Sequence, residues 1–149
     1  MTIATTITRR GAGLKKLTAL LLNPAPALLA GGSGLADNIR LGFRSSADPW
    51  GGQWKKLAVR KGKPLIDTGQ LRASIAARVS GKLAIQVFAG DSPAKTNLHQ
   101  FGGFTVINGR RVFVPARPFF PIRAGRVDLP GRWRSDMVAD VVAAIKAAL

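Results

Sequence analysis

The first third of the chain carries apolar residues at the spacing of an α-helix. Leu14, Leu17 and Leu21 recur at intervals of three and four residues, which predicts a helix over residues 13–22. We expect Pro24 to end it, because proline lacks a backbone N–H and its ring collides with the preceding helical turn. The pattern therefore indicates a helical N-terminal segment.

The same spacing predicts two further helices. Residues 31–34 are Gly-Gly-Ser-Gly, which predicts a flexible break, with Ser33 as a candidate cap for the helix behind it. The apolar face of that helix would consist of Leu35, Ile39 and Phe43. Near the end of the chain we expect Ser135 to cap a last helix, whose apolar stripe consists of Val138, Val141, Val142, Ile145 and Leu149.

The middle of the chain alternates between strand and turn signals. Residues 83–89 alternate with a β-rich composition and predict a strand, and residues 94–101 predict a short helix that Gly102-Gly103 ends. Asn-Gly at 108–109, between two apolar runs, is the sequence most typical of a tight hairpin. Residues 115–121 contain three prolines, so they cannot form an interior strand.

These elements predict an α+β fold, in which a short antiparallel sheet is packed by N-terminal and C-terminal helices and carries long basic and proline-rich loops. The length of 149 residues fits one folded domain. We expect residues 1–34 to form an N-terminal helical arm and residues 35–149 to form a single α+β domain.

The charge balance changes this picture more than any other part of the composition. The chain has 23 Lys and Arg against 7 acids, all Asp, which gives a net charge of +16. Such an excess implies an anionic neighbour, which is either nucleic acid or an acidic protein surface. The cations that we expect to face it lie in loops: Lys55, Lys56, Arg60, Lys61, Lys63, Arg110 and Arg111.

The N-terminus resembles a secretory signal, with Arg9 and Arg10 ahead of an apolar run over residues 17–30. Pro24 and Pro26 interrupt that run, and it is too short to span a bilayer. We therefore expect a structural arm and no membrane partner.

Residues 67–70 have the pattern of a capping box that opens a helix to about residue 77, with Asp67 as the cap and Gln70 reaching back. The triplet Asp67-Thr68-Gly69 also matches aspartic proteases, which need two such carboxylates sharing a proton. His99 is the one histidine and has no nearby acid and nucleophile pair in sequence. With no cysteine and no ligand cluster, we expect no enzyme, no metal and no cofactor.

Trp50 and Trp54 lie beside the cations of residues 55–63, which leaves three interpretations open. The indoles could pin the loop to the body by apolar burial, stack on nucleic-acid bases, or contact another subunit. Pinning is the interpretation that needs no partner.

Four segments together resemble the phage virion morphogenesis proteins, the Mu-like tail completion family. Residues 48–57 are similar to its Asp-Pro-x-Gly-x-x-Trp-x-x-Leu stretch, and residues 65–75 to its Leu-x-x-(Thr/Ser)-Gly-x-Leu-Arg-x-Ser-Ile segment. The His-Gln-Phe-Gly element is present at residues 99–102, and the Pro-Ala-Arg-Pro-Phe element at residues 115–119. The family's Tyr-Ala before the His motif is replaced here by Lys95-Thr96.

The resemblance implies a structural protein of the virion tail or neck, assembled in the host cytoplasm. It would complete the tail or join it to the head as a homo-oligomeric ring, expected to be a hexamer. The neighbours would be head–tail connector, tail terminator or tail tube proteins, and DNA in the channel is a possible partner. We expect the subunit contacts to involve Trp50, Trp54, His99, Gln100, Phe101, Arg117, Phe119 and Phe120. A basic nucleic-acid-binding module is the alternative function.

Overall fold

A computed structural model describes residues 13–58, 61–90 and 92–149. Its first helix, α1, spans Gly13–Leu22 and ends before Pro24, as predicted. Leu14, Leu21 and Leu22 of this helix are exposed. No single helix of the described residues is long and apolar enough to cross a membrane. Taken together, α1 and the following helix meet that length and composition, with a bend of 64° between them.

Helix α2 spans Ala25–Ser45 without interruption, so the break predicted at residues 31–34 is wrong. Small residues are needed there because two other elements approach the helix closely. A Cβ on Gly31 would lie 2.7 Å from Val141 Cγ2, and one on Gly32 would lie 3.1 Å from Ala77 Cβ. The division of the chain at residue 34 falls inside α2, and the two-part organisation stays a prediction.

The core forms along the apolar face of α2 that the sequence predicts. Ile39 and Phe43 are 1% and 0% exposed, and Leu35 lies beside them. Ala36 of α2 also lies in this cluster, and its other buried side chains come from later segments of the chain: Trp54, Leu65, Leu71, Ile75 and Phe119.

The capping box at residues 67–70 is wrong. Helix α3 is one turn, Gln70–Ala73, and its N-cap is Gly69 at φ 80° with no side-chain cap hydrogen bond. Instead of continuing to about residue 77, the chain enters strand β1, Ile75–Gly81. Ile75 is 0% exposed and pairs with Ala89, so burial in the core overrides the local helical signal.

Strand β2, Ala84–Ala89, pairs with β1 in an antiparallel hairpin that packs on α2. Helix α4 follows at Pro93–Phe101, and strands β3, Gly103–Ile107, and β4, Arg110–Val114, form the predicted hairpin. Its turn residues Asn108 and Gly109 have φ of 50° and 76°, as a type I′ turn requires.

A third, very short hairpin joins β5, Ile122–Arg123, to β6, Arg126–Val127. The strands described here therefore form three separate two-stranded sheets instead of one sheet. Helices at both ends with short antiparallel pairs between them confirm the α+β class.

The last helix, α5, spans Gly131–Ala148 and packs along α2. It begins after Pro130, so the cap predicted at Ser135 is wrong, and the Ser135 hydroxyl donates to Gly131 O at 3.1 Å. The predicted stripe is also only partly correct. Val141 meets α2 at Gly31, whereas Val138, Val142 and Leu149 are exposed.

Candidate functional site

Gln100 connects the two segments that carry the family-like motifs. It lies on α4, is 3% exposed, and faces the proline arm (residues 115–121). Its Oε1 accepts from the backbone N–H of Phe119 at 3.0 Å and of Phe120 at 2.9 Å. Its Nε2 donates to Phe120 O at 3.0 Å. One amide therefore satisfies three backbone groups of a segment that makes few ladder hydrogen bonds.

Gly102 allows the proline arm to approach the end of α4. Its N–H donates to Leu98 O at 2.9 Å, and its φ of 73° with a ψ of 177° is a backbone conformation that favours glycine, so α4 ends here as predicted. A Cβ here would lie 2.7 Å from Ala116 N. Next to it, Arg117 N donates to His99 O at 2.7 Å, which joins the arm to the His99 motif through the backbone.

Arg117 ties the arm to the start of the basic loop. It is 5% exposed, and its Nε and Nη2 donate to the carbonyl oxygens of Lys55 at 2.9 Å and Lys56 at 3.2 Å. Trp54 adds a parallel link, because its Nε1 donates to Pro118 O at 2.8 Å. Two sequence-distant loops are thereby held against each other by buried donors.

The same region is closed by aromatic packing. The Phe43 ring lies 5.3 Å from Trp54 and 5.4 Å from Phe119, both edge-on, and Phe119 lies 4.9 Å from Phe120. Such contacts stabilise a core beyond their buried area. We call the side chains that fix the proline arm, Trp54, Gln100, Arg117 and Phe119, the clasp.

Four residues of the predicted subunit interface are buried within the protomer as members of the clasp. Trp54 is 6% and Phe119 2% exposed, and with Gln100 and Arg117 they have almost no surface left for another subunit. Their contacts hold the protomer together, because a rigid proline segment gains stability by packing on its own body. Direct subunit contact stays a prediction for the whole set, of which Trp50, His99, Phe101 and Phe120 keep some exposure.

Trp50 is pinned by a neighbouring cation. The Arg123 guanidinium lies 3.7 Å from the centre of its ring, and Asp128 pairs with Arg123 at 3.8 Å. The Asp48 carboxylate fixes the turn below by accepting from Trp50 N and Gly52 N at 2.9 and 2.8 Å. Loop pinning, one of the three interpretations of the tryptophans, agrees with these contacts.

Arg60 lies outside the residues that the structure describes. The other cations that we expected to face an anionic partner are all exposed. Lys63 Nζ donates to Arg44 O at 2.9 Å, and Arg111 lies 4.1 Å from the Phe104 ring centre. Lys55, Lys56, Lys61 and Arg110 complete an exposed basic set.

The hairpin β3–β4 has an exposed apolar face that sequence reasoning missed. Phe104 and Phe113 face each other across the strands at 5.2 Å and are 60% and 59% exposed, and Val106 is 68% exposed. Neither strand packs extensively on any other described helix or strand. The strand period of two was the available signal, since it places Phe104 and Val106 on one face.

Asp67 and His99 lie apart in sequence but line one groove of about 450 Å³, together with Lys95 and Arg117. Among the residues that the structure describes, no group of three or more histidines and acids could hold a metal ion. The groove borders the clasp, because Arg117 of the clasp is one of its lining residues.

The sequence profile of the phage virion morphogenesis family matches residues 7–128. The chain belongs to that family. It is also 40% identical, over 87 residues, to the Mu-like prophage FluMu G protein 2 of Haemophilus influenzae. That alignment covers 58% of this chain and 55% of the relative, so the chain spans about half the length of the curated relative. No solved structure matches the chain.

Membership in the phage virion morphogenesis family confirms the resemblance and points to a role in the structure or assembly of the virion. It points away from an enzyme, and with it from the protease interpretation of Asp67-Thr68-Gly69. The family-like motifs at residues 99–102 and 115–119 meet in space, where they build the clasp.

Proposed function

We propose that this morphogenesis protein completes the phage tail, or joins it to the head, as a homo-oligomeric ring in the neck of the virion. A hexamer is the expected ring. Its neighbours would be head–tail connector, tail terminator or tail tube proteins, and it would assemble in the host cytoplasm before it enters the virion.

The observation that carries this proposal is the exposed apolar face of the β3–β4 hairpin. An isolated two-stranded hairpin is marginal in water, and it gains stability when its apolar face is covered. Phe104, Val106 and Phe113 are all more than half exposed in the protomer. A protein that functions within an assembly accounts for such a face, because neighbours in the assembly cover it.

The clasp supports the same function from inside the protomer. A ring subunit must present its contact surfaces in a fixed geometry, since flexible surfaces lose entropy on every contact. Gln100 and Arg117 hold the proline arm to the body through buried hydrogen bonds. The arm therefore forms part of a rigid framework.

A phage that lacks this gene tests the proposal. We expect electron micrographs of its lysate to contain heads and tails as separate particles, and infectivity to return when the protein is supplied from a plasmid. Native mass spectrometry of the purified protein should give a multiple of the 15.8 kDa chain mass. Normal, infectious virions without the protein would contradict the proposal.

A second candidate function, DNA binding in the channel, rests on the exposed cations. If Lys55, Lys56, Lys61 and Lys63 contact phosphates, replacing all four by Gln should reduce the slope of log affinity against log salt by roughly 3–4. The matched control replaces Lys15, Lys16 and Lys146, which lie on the terminal helices. No measurable duplex affinity at about 150 mM salt would exclude this function.

A further inference from the structure

A second apolar surface lies between β2 and α4. It is a groove of about 420 Å³ whose walls include Val87, Phe88, Phe101, Phe120 and Ile122. Phe101 at its rim is 58% exposed. None of the residues that line it is ionisable. The groove therefore accepts an apolar surface without a charge to bury.

We propose that the β3–β4 hairpin of one subunit docks its Phe104, Val106 and Phe113 face into this groove on a second copy of the chain. This inference rests on the ring proposed above and names its contact. The hairpin supplies a projecting aromatic face, and the groove supplies a recess lined mainly by aromatic and aliphatic side chains, with uncharged polar ones between them.

Each of the two surfaces carries an arginine, so the pairing forms against a like-charge repulsion that salt screens. Arg111 lies over Phe104, and Arg78 lies 5.0 Å from the Phe88 ring centre, so both cations already contact an aromatic face. Strands β3 and β4 and the turn between them carry no acidic residue, and neither does the groove lining. The contact needs no ion pair, and apolar burial supplies its stabilisation.

The available area indicates how strong one contact is. Aromatic side chains carry about 150–250 Å² each, so Phe104 at 60% and Phe113 at 59% leave roughly 180–300 Å² exposed between them. With Val106 and the groove side included, one contact buries less than the roughly 1,200–2,000 Å² of a standard interface. A single contact is therefore weak, and a closed ring, which gives each subunit two contacts, is the favoured product.

The contact is heterologous, because each copy uses its hairpin toward one neighbour and its groove toward the other. Heterologous contacts generate rings when the rotation between neighbours closes. This geometry distinguishes the proposal from a twofold dimer, in which each copy would use the same patch.

The experiment compares three purified proteins by sedimentation velocity: wild type, the hairpin variant Phe104→Ser with Phe113→Ser, and the groove variant Phe101→Ser. We expect a ring from the wild type and monomers from both variants, with dissociation constants raised roughly tenfold or more. Leu83→Ser is the matched control, since Leu83 is 79% exposed in the β1–β2 turn and lies in neither surface. Unchanged far-ultraviolet circular dichroism verifies that each variant folds.

Mixing the two variants identifies the pairing. The hairpin variant keeps its groove and the groove variant keeps its hairpin, so the mixture should form one-to-one heterodimers and nothing larger. Because one contact is weak, the mixture is measured well above the concentration at which the wild type forms rings. Monomers alone under that condition, or rings from either variant, would overturn the docking proposal while leaving the ring function intact. A monomeric wild type would overturn the ring function and the docking contact with it.

Discussion

At the scale of single residues, Gln100 explains how the proline arm keeps one conformation. Pro115, Pro118 and Pro121 have no backbone N–H, so the arm has few donors for a ladder. Of the remaining backbone donors, those of Phe119 and Phe120 both point to one side-chain oxygen. A glutamine suits the position because its amide accepts and donates in one plane.

Replacing Gln100 by Met keeps the side-chain length and removes all three hydrogen bonds. Two N–H groups and one carbonyl would lose their partner, at about 1–3 kcal/mol for each buried group left unsatisfied. We expect the free energy of unfolding, measured by urea titration, to fall by about 3 kcal/mol or more. Gln86→Met is the control, since exposed Gln86 bonds only Arg78 at 2.8 Å in the described contacts. Equal effects of the two substitutions would contradict the role given to Gln100.

At the scale of elements, α2 links the β1–β2 hairpin to α5, because it packs on both. Gly31 faces α5, where Val141 Cγ2 and Met137 O would lie 2.7 and 3.2 Å from an added Cβ. Gly34, one turn further along, meets only the Asp140 carboxylate. Two glycines of one helix therefore have different tolerance for a methyl group.

Gly31→Ala and Gly34→Ala should change stability in opposite directions. Each gains about 0.8–1 kcal/mol of helix propensity. At Gly31 the methyl group meets a branched side chain and a backbone carbonyl, and overpacking costs about 1–3 kcal/mol. At Gly34 the Asp140 side chain can rotate away. Thermal unfolding should show a lower midpoint for Gly31→Ala and a higher one for Gly34→Ala, and a higher midpoint for both would contradict the close approach at Gly31.

The sequence predicts those elements whose signal is local. Pro24 ends a helix and Asn108-Gly109 turns a hairpin because each residue restricts its own backbone. The failures have tertiary causes. The glycines at 31–34 suit a tight helix contact that no local pattern reveals, and Ile75 enters a strand because the core buries it. Of the candidate site, the motifs that contain Gln100 and the proline arm were identified from the sequence, whereas the burial of Gln100 and the exposed hairpin face were not predicted.

At the scale of the whole molecule, helix α1 contributes little to the core. The leucines of α1 at 14, 21 and 22 are exposed, and a hydrogen bond from Lys16 Nζ to Leu149 O at 2.8 Å links the helix to the C-terminus. The buried core begins at Ala27, within α2. We therefore expect the boundary of a separable arm near Pro24, ahead of residue 34.

Two truncated chains test that boundary. A chain that begins at Pro24 keeps the whole of α2, and we expect its free energy of unfolding to stay within about 1 kcal/mol of the full chain. A chain that begins at Leu35 loses Ala27, Gly31 and Gly32 with their packing on α5 and β2, so we expect no cooperative unfolding transition. A cooperative transition in the shorter chain would support the division at residue 34.

The net charge of +16 gives assembly and DNA binding opposite dependences on salt. Subunits of like charge repel each other, and salt shortens the range of that repulsion from about 10 Å at 0.1 M to about 3 Å at 1 M. An apolar hairpin-to-groove contact therefore strengthens as salt rises. Phosphate contacts weaken as salt rises, because releasing the counterions of the DNA is less favourable at a higher salt concentration. A protein that makes six to ten phosphate contacts loses about 10³–10⁵ in affinity between 50 and 200 mM salt.

We expect sedimentation to give a ring dissociation constant that falls between about 50 and 500 mM NaCl, while duplex affinity falls steeply over the same range. The variant in which Gln replaces Lys55, Lys56, Lys61 and Lys63 carries four fewer positive charges. The ring dissociation constant and the duplex affinity should therefore both depend less steeply on salt in this variant. The hairpin variant should keep the duplex dependence of the wild type, because its cations are unchanged. Ring assembly that weakens with salt would mean that ion pairs hold the subunits together, and the exposed face of the β3–β4 hairpin would then need a different partner.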